Sequence, residues 1–135
     1  MPYIEWMPSL SVGVREIDAQ HKNLVAYINE LAAAREEGRA REAVSPLLAK
    51  LQAYVLEHFA LEERYFDSFG FPGAIAHKKE HADFAAKVEA FGRDFAAGKA
   101  ELSDEMLLFL RSWLTSHISF SDRKYRSLFI EKGLR

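Results

Sequence analysis

The chain contains no cysteine. That absence excludes disulfide staples, thiolate zinc sites, iron–sulfur clusters and cysteine nucleophiles. Long apolar runs are missing too, and no stretch approaches the roughly 20 residues that a membrane-spanning helix needs. The opening M-P-Y-I-E-W-M-P has an early acid and two prolines. It lacks a basic stretch followed by an apolar block, so it does not read as a signal peptide. Neither sign of charge dominates: 18 Lys and Arg face 20 Asp and Glu, a net charge of −2. No run of one sign occurs, which argues against a nucleic-acid surface and against a polybasic membrane anchor. The expectation is a cytoplasmic monomer that binds no nucleic acid and inserts into no membrane.

What is present is helical. The 135 residues are 49% hydrophobic, enough for a single domain with a full core. Pro2, Pro8 and Gly13 fall in a segment without helical period. Residues 1 to about 15 therefore read as an extended arm that packs through Trp6 and Leu10. Periodicity and end signals predict helices over about 17–37, 40–68, 73–96 and 103–130. Asp18 is placed to cap or open the first, where Ile17, Leu24, Ile28 and Leu31 share a stripe with His21. Pro46 either starts the second helix or bends it. No strand candidate competes. Four helices with short connections make an all-α, up-down-up-down four-helix bundle with an extended N-terminal arm.

All five histidines fall in one pattern: His21, His58, His77, His81 and His117. His58 and Glu62 are four residues apart, as are His77 and His81. A spacing of four goes roughly 40° past a full turn, so each pair shares a helix face. Taken singly, such pairs are weak signals. Together they place histidine on the apolar stripe of every predicted helix, where a bare imidazole or carboxylate is costly unless paired or metallated. Five imidazoles and two carboxylates exceed the ligands of one ion, which points to two metals. Asp122 lies five residues after His117. In a regular helix that spacing goes roughly 140° past a turn. An irregular turn of π type between Ile118 and Asp122 would restore a common face.

Nitrogen and oxygen donors without sulfur leave zinc, manganese, copper and iron. If both carboxylates bridge and a shared oxygen forms a third bridge, histidines divided three and two give one six-coordinate ion and one with an open position. That count suits iron better than tetrahedral zinc.

The segments W-M-P-S-L-S-V-G-V-R-E-I-D-A-Q-H, H-F-A-L-E-E, H-K-K-E-H and W-L-T-S-H-I-S-F-S-D resemble the hemerythrins, specifically their bacterial single-domain form, from Trp6 to about Tyr125. The resemblance implies a four-helix bundle holding two non-haem iron ions, Fe2+ or Fe3+, joined by an oxo or hydroxo bridge. It places His77, His81 and His117 on the six-coordinate iron and His21 and His58 on the open one, with Glu62 and Asp122 bridging. Leu24, Phe59, Trp113, Leu114 and Ile118 would wall a pocket for dioxygen; read singly, each is equally ordinary core. Phe66 and Phe71 depart from the methionine and tyrosine usual in similar chains. Asp18 is a cap or a partner of His21, Glu63 is solvated or makes an inter-helix contact, and Tyr125 is core. The function implied is reversible dioxygen binding, for transport, storage or delivery to an oxygen-consuming enzyme, without catalysis by the chain itself. Sensing of oxygen, nitric oxide or redox state through a separate partner, and a di-iron oxidase or peroxidase activity, are the alternatives.

Overall fold

The computed structural model describes residues 3–99 and 102–134. Met1 and Pro2 of the expected arm lie outside this description. Four helical rods run up, down, up and down. The first is α1, Arg15–Glu36. The second joins α2, Ala40–Tyr54, through a π segment Val55–Phe59 to α3, Ala60–Phe69. The third is α4, Ala74–Ala96. The fourth is a composite: α5, Leu102–Trp113, a π segment Leu114–Ser121, a 3₁₀ turn Asp122–Tyr125, and α6, Arg126–Glu131. Among the described residues there is no strand. α1 packs on α2 and α5, and α4 packs on the same two, which closes the ring of the bundle.

The rods end where the sequence supplies breakers. Gly70 closes α3 at φ 67°, a left-handed conformation that costs a side chain energy, and Phe71 N–H then donates to Phe66 O at 3.1 Å. Pro46 lies inside α2, so it neither starts that helix nor supplies an N–H to the carbonyl of Glu42.

Two apolar clusters fill the interior. The larger gathers Leu24, Ile28, Leu51, Tyr54, Phe59, Phe84, Met106, Leu110, Trp113, Leu114 and Ile118 with their neighbours. The smaller gathers Val12, Val14, Ile17, Leu61, Phe66, Tyr125 and Phe129. The polar residues of interest fall near the junction of the two: on the first rod His21 lies between Ile17 and Leu24, and on the fourth Asp122 lies between Ile118 and Tyr125. Each fully buried large side chain contributes about 1.5–3 kcal/mol relative to exposure. The two clusters clamp a polar layer from both sides.

The arm is tied down at three points. Ile4 and the Asn29 amide exchange two hydrogen bonds of 2.8 Å, and Leu10 is buried against the larger cluster. Asp18 supplies the third point. It lies in the first turn of α1, whose N-cap is Val14, and its carboxylate is directed at the arm, so it is neither the cap nor a partner of His21. Its carboxylate accepts from Val12 N–H at 2.8 Å and from Ser11 Oγ at 2.5 Å. Removing it strips the Val12 amide of its acceptor. Asp18→Ala should cost about 1–2 kcal/mol locally and speed hydrogen exchange at Val12, while amides in the middle of α1 keep their protection.

Candidate metal centre

Seven side chains from four rods meet between the clusters. His21 comes from α1, His58 from the first π segment, Glu62 from α3, His77 and His81 from α4, His117 from the second π segment, and Asp122 from the 3₁₀ turn. Each is no more than 2% exposed. The wide turn anticipated from the His117–Asp122 spacing is present and spans eight residues, Leu114–Ser121. The segment T-S-H-I-S supplies extra donors there: Thr115 Oγ1 reaches Arg111 O at 3.1 Å, Ser116 Oγ reaches Ser112 O at 2.7 Å, and Ser119 Oγ reaches Thr115 O. These bonds serve carbonyls that widened turns leave poorly paired.

Two overlapping sets of donor atoms result. Glu62, His77, His81, His117 and Asp122 form one, and His21, His58, Glu62 and Asp122 the other; within each set the atoms lie within 4.8 Å of one another. The carboxylates are common to both. Asp122 divides its oxygens between them: Oδ1 is 2.7 Å from His77 Nε2 and 2.9 Å from His117 Nε2, while Oδ2 is 3.1 Å from His21 Nε2. Glu62 Oε1 lies 3.2 Å from His58 Nε2 and 3.1 Å from His81 Nε2.

Close as they are, these atoms do not satisfy one another. Nε2 of His77, His81 and His117, Oε1 of Glu62 and both Asp122 oxygens are buried without an aligned hydrogen bond. Proximity makes them ion pairs by distance only. The geometry is that of lone pairs converging on common points, and buried polar atoms left this way cost several kcal/mol unless a cation joins them. His21 Nε2 and His58 Nε2 stand 2.9 Å apart, within hydrogen-bond distance of each other.

Electrostatics agree. Burial pushes the Asp122 carboxyl up, yet His117, His21 and His77 more than reverse this and hold it well below the usual carboxylate range. Burial and Asp122 push Glu62 up, and His58 and His81 bring it far below that range. Burial lowers His58 against the pull of Glu62, keeping it a neutral donor. Two ionised carboxylates in a dry interior call for positive charge.

Three residues outside the predicted set fix the imidazoles. His81 Nδ1 donates to Glu63 Oε2 at 2.8 Å, His117 Nδ1 to Glu80 Oε1 at 2.8 Å, and His58 Nδ1 to the amide oxygen of Gln20. An acceptor at Nδ1 places the proton there and leaves Nε2 bare for a metal. Ser121 Oγ adds a 2.9 Å bond to Glu80. Glu63 thus makes the inter-helix contact that was one of its two readings; Gln20 and Glu80 were not found from sequence. Their only signal is adjacency, since each immediately precedes a histidine of the cluster, at His21 and His81. Tyr125 is buried, as expected of core, but its hydroxyl donates to Glu62 Oε2. Burial, Asp122 and Glu62 push its pKa well above 10, so it stays a neutral donor.

Of the expected pocket residues, Phe59 and Trp113 stack on histidines: Phe59 on His81 and Trp113 on His117, each with centroids 3.8 Å apart. Leu24, Leu114 and Ile118 are buried in the same apolar cluster. Phe66 packs edge-on to His77 at 4.8 Å and tilts against Phe71 at 5.0 Å. Tyr54 Oη and Trp113 Nε1 are also buried without a hydrogen-bond partner.

A cluster of five imidazoles and two shared carboxylates, with its orphaned atoms facing inward, fits a non-haem di-iron site. The sequence pattern of the hemerythrin HHE cation binding domain matches residues 12–129. A bacteriohemerythrin of Pseudomonas aeruginosa is 35% identical over 125 residues, covering 93% of this chain and 80% of that protein. One from Stenotrophomonas maltophilia is 33% identical over the same shares. A crystal structure of wild-type hemerythrin aligns with a TM-score of 0.77 at 28% identity, covering 93% of this chain and 97% of that one. On sequence and on fold together, the chain belongs to the hemerythrin family.

Proposed function

We propose that this chain binds dioxygen reversibly at two iron ions. His77, His81 and His117 would hold one, His21 and His58 the other, and Glu62 and Asp122 would be shared by both. The observation that carries this reading is the pair of overlapping donor sets that share two carboxylates, one set being a histidine short of the other. Iron held there would supply the electrons that a diatomic ligand takes up on binding.

The protein's own part is orientation and exclusion. Stacked Phe59 and Trp113 set the planes of His81 and His117. Tyr125 holds one oxygen of Glu62 and so fixes the plane of that carboxylate. Leu24, Phe59, Trp113, Leu114 and Ile118 would keep the adjoining space apolar and so exclude water and protons from it. Leu114 also lines a cleft of about 330 Å³ beneath the arm, with Tyr3, Ile4, Met7 and Leu10 among its other walls. Leu114 is also buried in the larger apolar cluster, and we read it as the partition between the cleft and the site. Among the described residues the donor groups converge on this one layer, and the chain is read as a carrier or store that serves an oxygen-consuming enzyme.

The test is to load the protein with iron without oxygen, reduce it, count the iron and admit air while recording the visible spectrum. Two irons per chain and a charge-transfer band that vanishes when oxygen is removed are expected. A direct, irreversible passage to ferric protein would favour sensing, and sustained oxygen consumption with a reductant would favour an enzyme.

Two substitutions separate the roles. Glu62→Ala should bring iron below two per chain, measured by colorimetric iron assay; full stoichiometry would refute its bridging role. Leu114→Ala should retain both irons but oxidise several-fold faster in air, because it opens the partition; an unchanged rate would make Leu114 ordinary core.

A further inference from the structure

The three bonds that fix the histidines are unequal in charge. In the set containing His77, His81 and His117, two imidazoles donate to carboxylates, Glu63 and Glu80. In the set containing His21 and His58, His58 donates to the neutral Gln20 amide, and His21 Nδ1 is buried without a partner. Each brace also crosses between rods: Gln20 of α1 to the second rod, Glu63 of α3 to α4, and Glu80 of α4 to the fourth rod.

A carboxylate that accepts an Nδ1 proton draws it away from the ring, and the opposite nitrogen becomes a stronger donor to metal. It also adds negative charge near one metal position and none near the other. Both effects favour the higher oxidation state on the same side. Ser121 Oγ, bonded to Glu80, keeps that carboxylate directed at His117. Glu63 and Glu80 are 33% and 39% exposed, so solvent screens them and the bias is moderate.

We infer that Gln20, Glu63 and Glu80 are positioning residues that make the two iron positions electronically unequal, with ferric iron favoured beside His77, His81 and His117 and ferrous iron favoured beside His21 and His58. The inference rests on the two-iron reading above. The neutral brace stands on the side with fewer histidines, where the ligand would bind. Holding that iron ferrous keeps it competent for dioxygen, and the partner position takes the first oxidising equivalent.

The experiment is a redox titration of ⁵⁷Fe-loaded protein without oxygen, followed by Mössbauer spectroscopy and midpoint potentials, for wild type, Glu80→Gln, Glu63→Gln and Gln20→Glu. Half-oxidised wild type should show one localised ferric and one ferrous doublet. Glu80→Gln and Glu63→Gln should each shift the first ferric/ferrous equilibrium about tenfold toward ferrous, roughly 59 mV for one electron. Gln20→Glu should shift the second couple toward ferric and narrow the gap between the two. Two irons per chain with potentials unmoved in all three variants would overturn the inference and leave the di-iron reading standing. Fewer than two irons in wild type would overturn both. A readout free of iron runs alongside: in zinc-loaded protein, the Nδ1–H proton resonances of His81 and His117 should lie further downfield than that of His58. Each should move upfield when its own glutamate becomes glutamine, and failure to move would count against the braces whatever the iron data show.

Discussion

Five buried imidazoles and two buried carboxylates, most of whose inward-facing atoms lack an aligned hydrogen bond, are the constraint on which the rest of this structure depends. Left alone, such a layer sets lone pairs against lone pairs in a dry interior, and each orphaned atom costs free energy. A bundle can hold it only if cations complete it and apolar packing on both sides outweighs its cost. Two separate clusters supply that packing, Leu24 through Ile118 on one side and Ile17 through Phe129 on the other. The division of the core is therefore a consequence of the site.

Positioning follows from departures at the helix level. A regular helix would turn His117 and Asp122 away from each other, and the π segment brings them to one face. Histidines on four rods could still spin about χ2, and for three of the five, rings and braces prevent this. Tyr54, Phe59 and Trp113 stack on His58, His81 and His117. The same three imidazoles are those whose Nδ1 protons are held by Gln20, Glu63 and Glu80. Packing fixes the plane and hydrogen bonding fixes the tautomer, so each ring is constrained twice.

Much of this was legible in the chain because it is periodic. Apolar stripes gave the bundle, the histidines fell on those stripes, and the odd spacing of five betrayed the wide turn in the fourth rod. The π segment at Val55–Phe59 gave no such sign, because His58 and Glu62 keep a regular spacing of four. Asp18 was misread because a polar residue near a helix start resembles a cap; only the folded arm shows that it holds Ser11 and Val12. Gln20 and Glu80 were invisible for a general reason. Polar residues roughly 100° from a ligand on a helix look like solvated surface, and their partners lie on another rod. Tyr125 has an aromatic core signature that hides the direction of its hydroxyl. What the sequence conceals here is contact across rods, which no single-helix period encodes.

The layout separates two properties that a dioxygen site must balance. Leu24, Phe59, Trp113, Leu114 and Ile118 belong to the larger apolar cluster on one side of the layer, and on the reading proposed above they would govern what reaches the metals. The polar braces approach from the outer faces of the rods, and Glu63 and Glu80 are partly in contact with solvent. On that reading, exchange of ligand and electronic bias would act through different residues on different sides of the same histidines. A chain built this way can change oxygen affinity through wall volume without altering charge, and can change redox balance through one glutamate without opening the interior to water. Carriers, sensors and redox enzymes need different settings of these two variables, and this arrangement lets one fold reach each of them without moving a ligand.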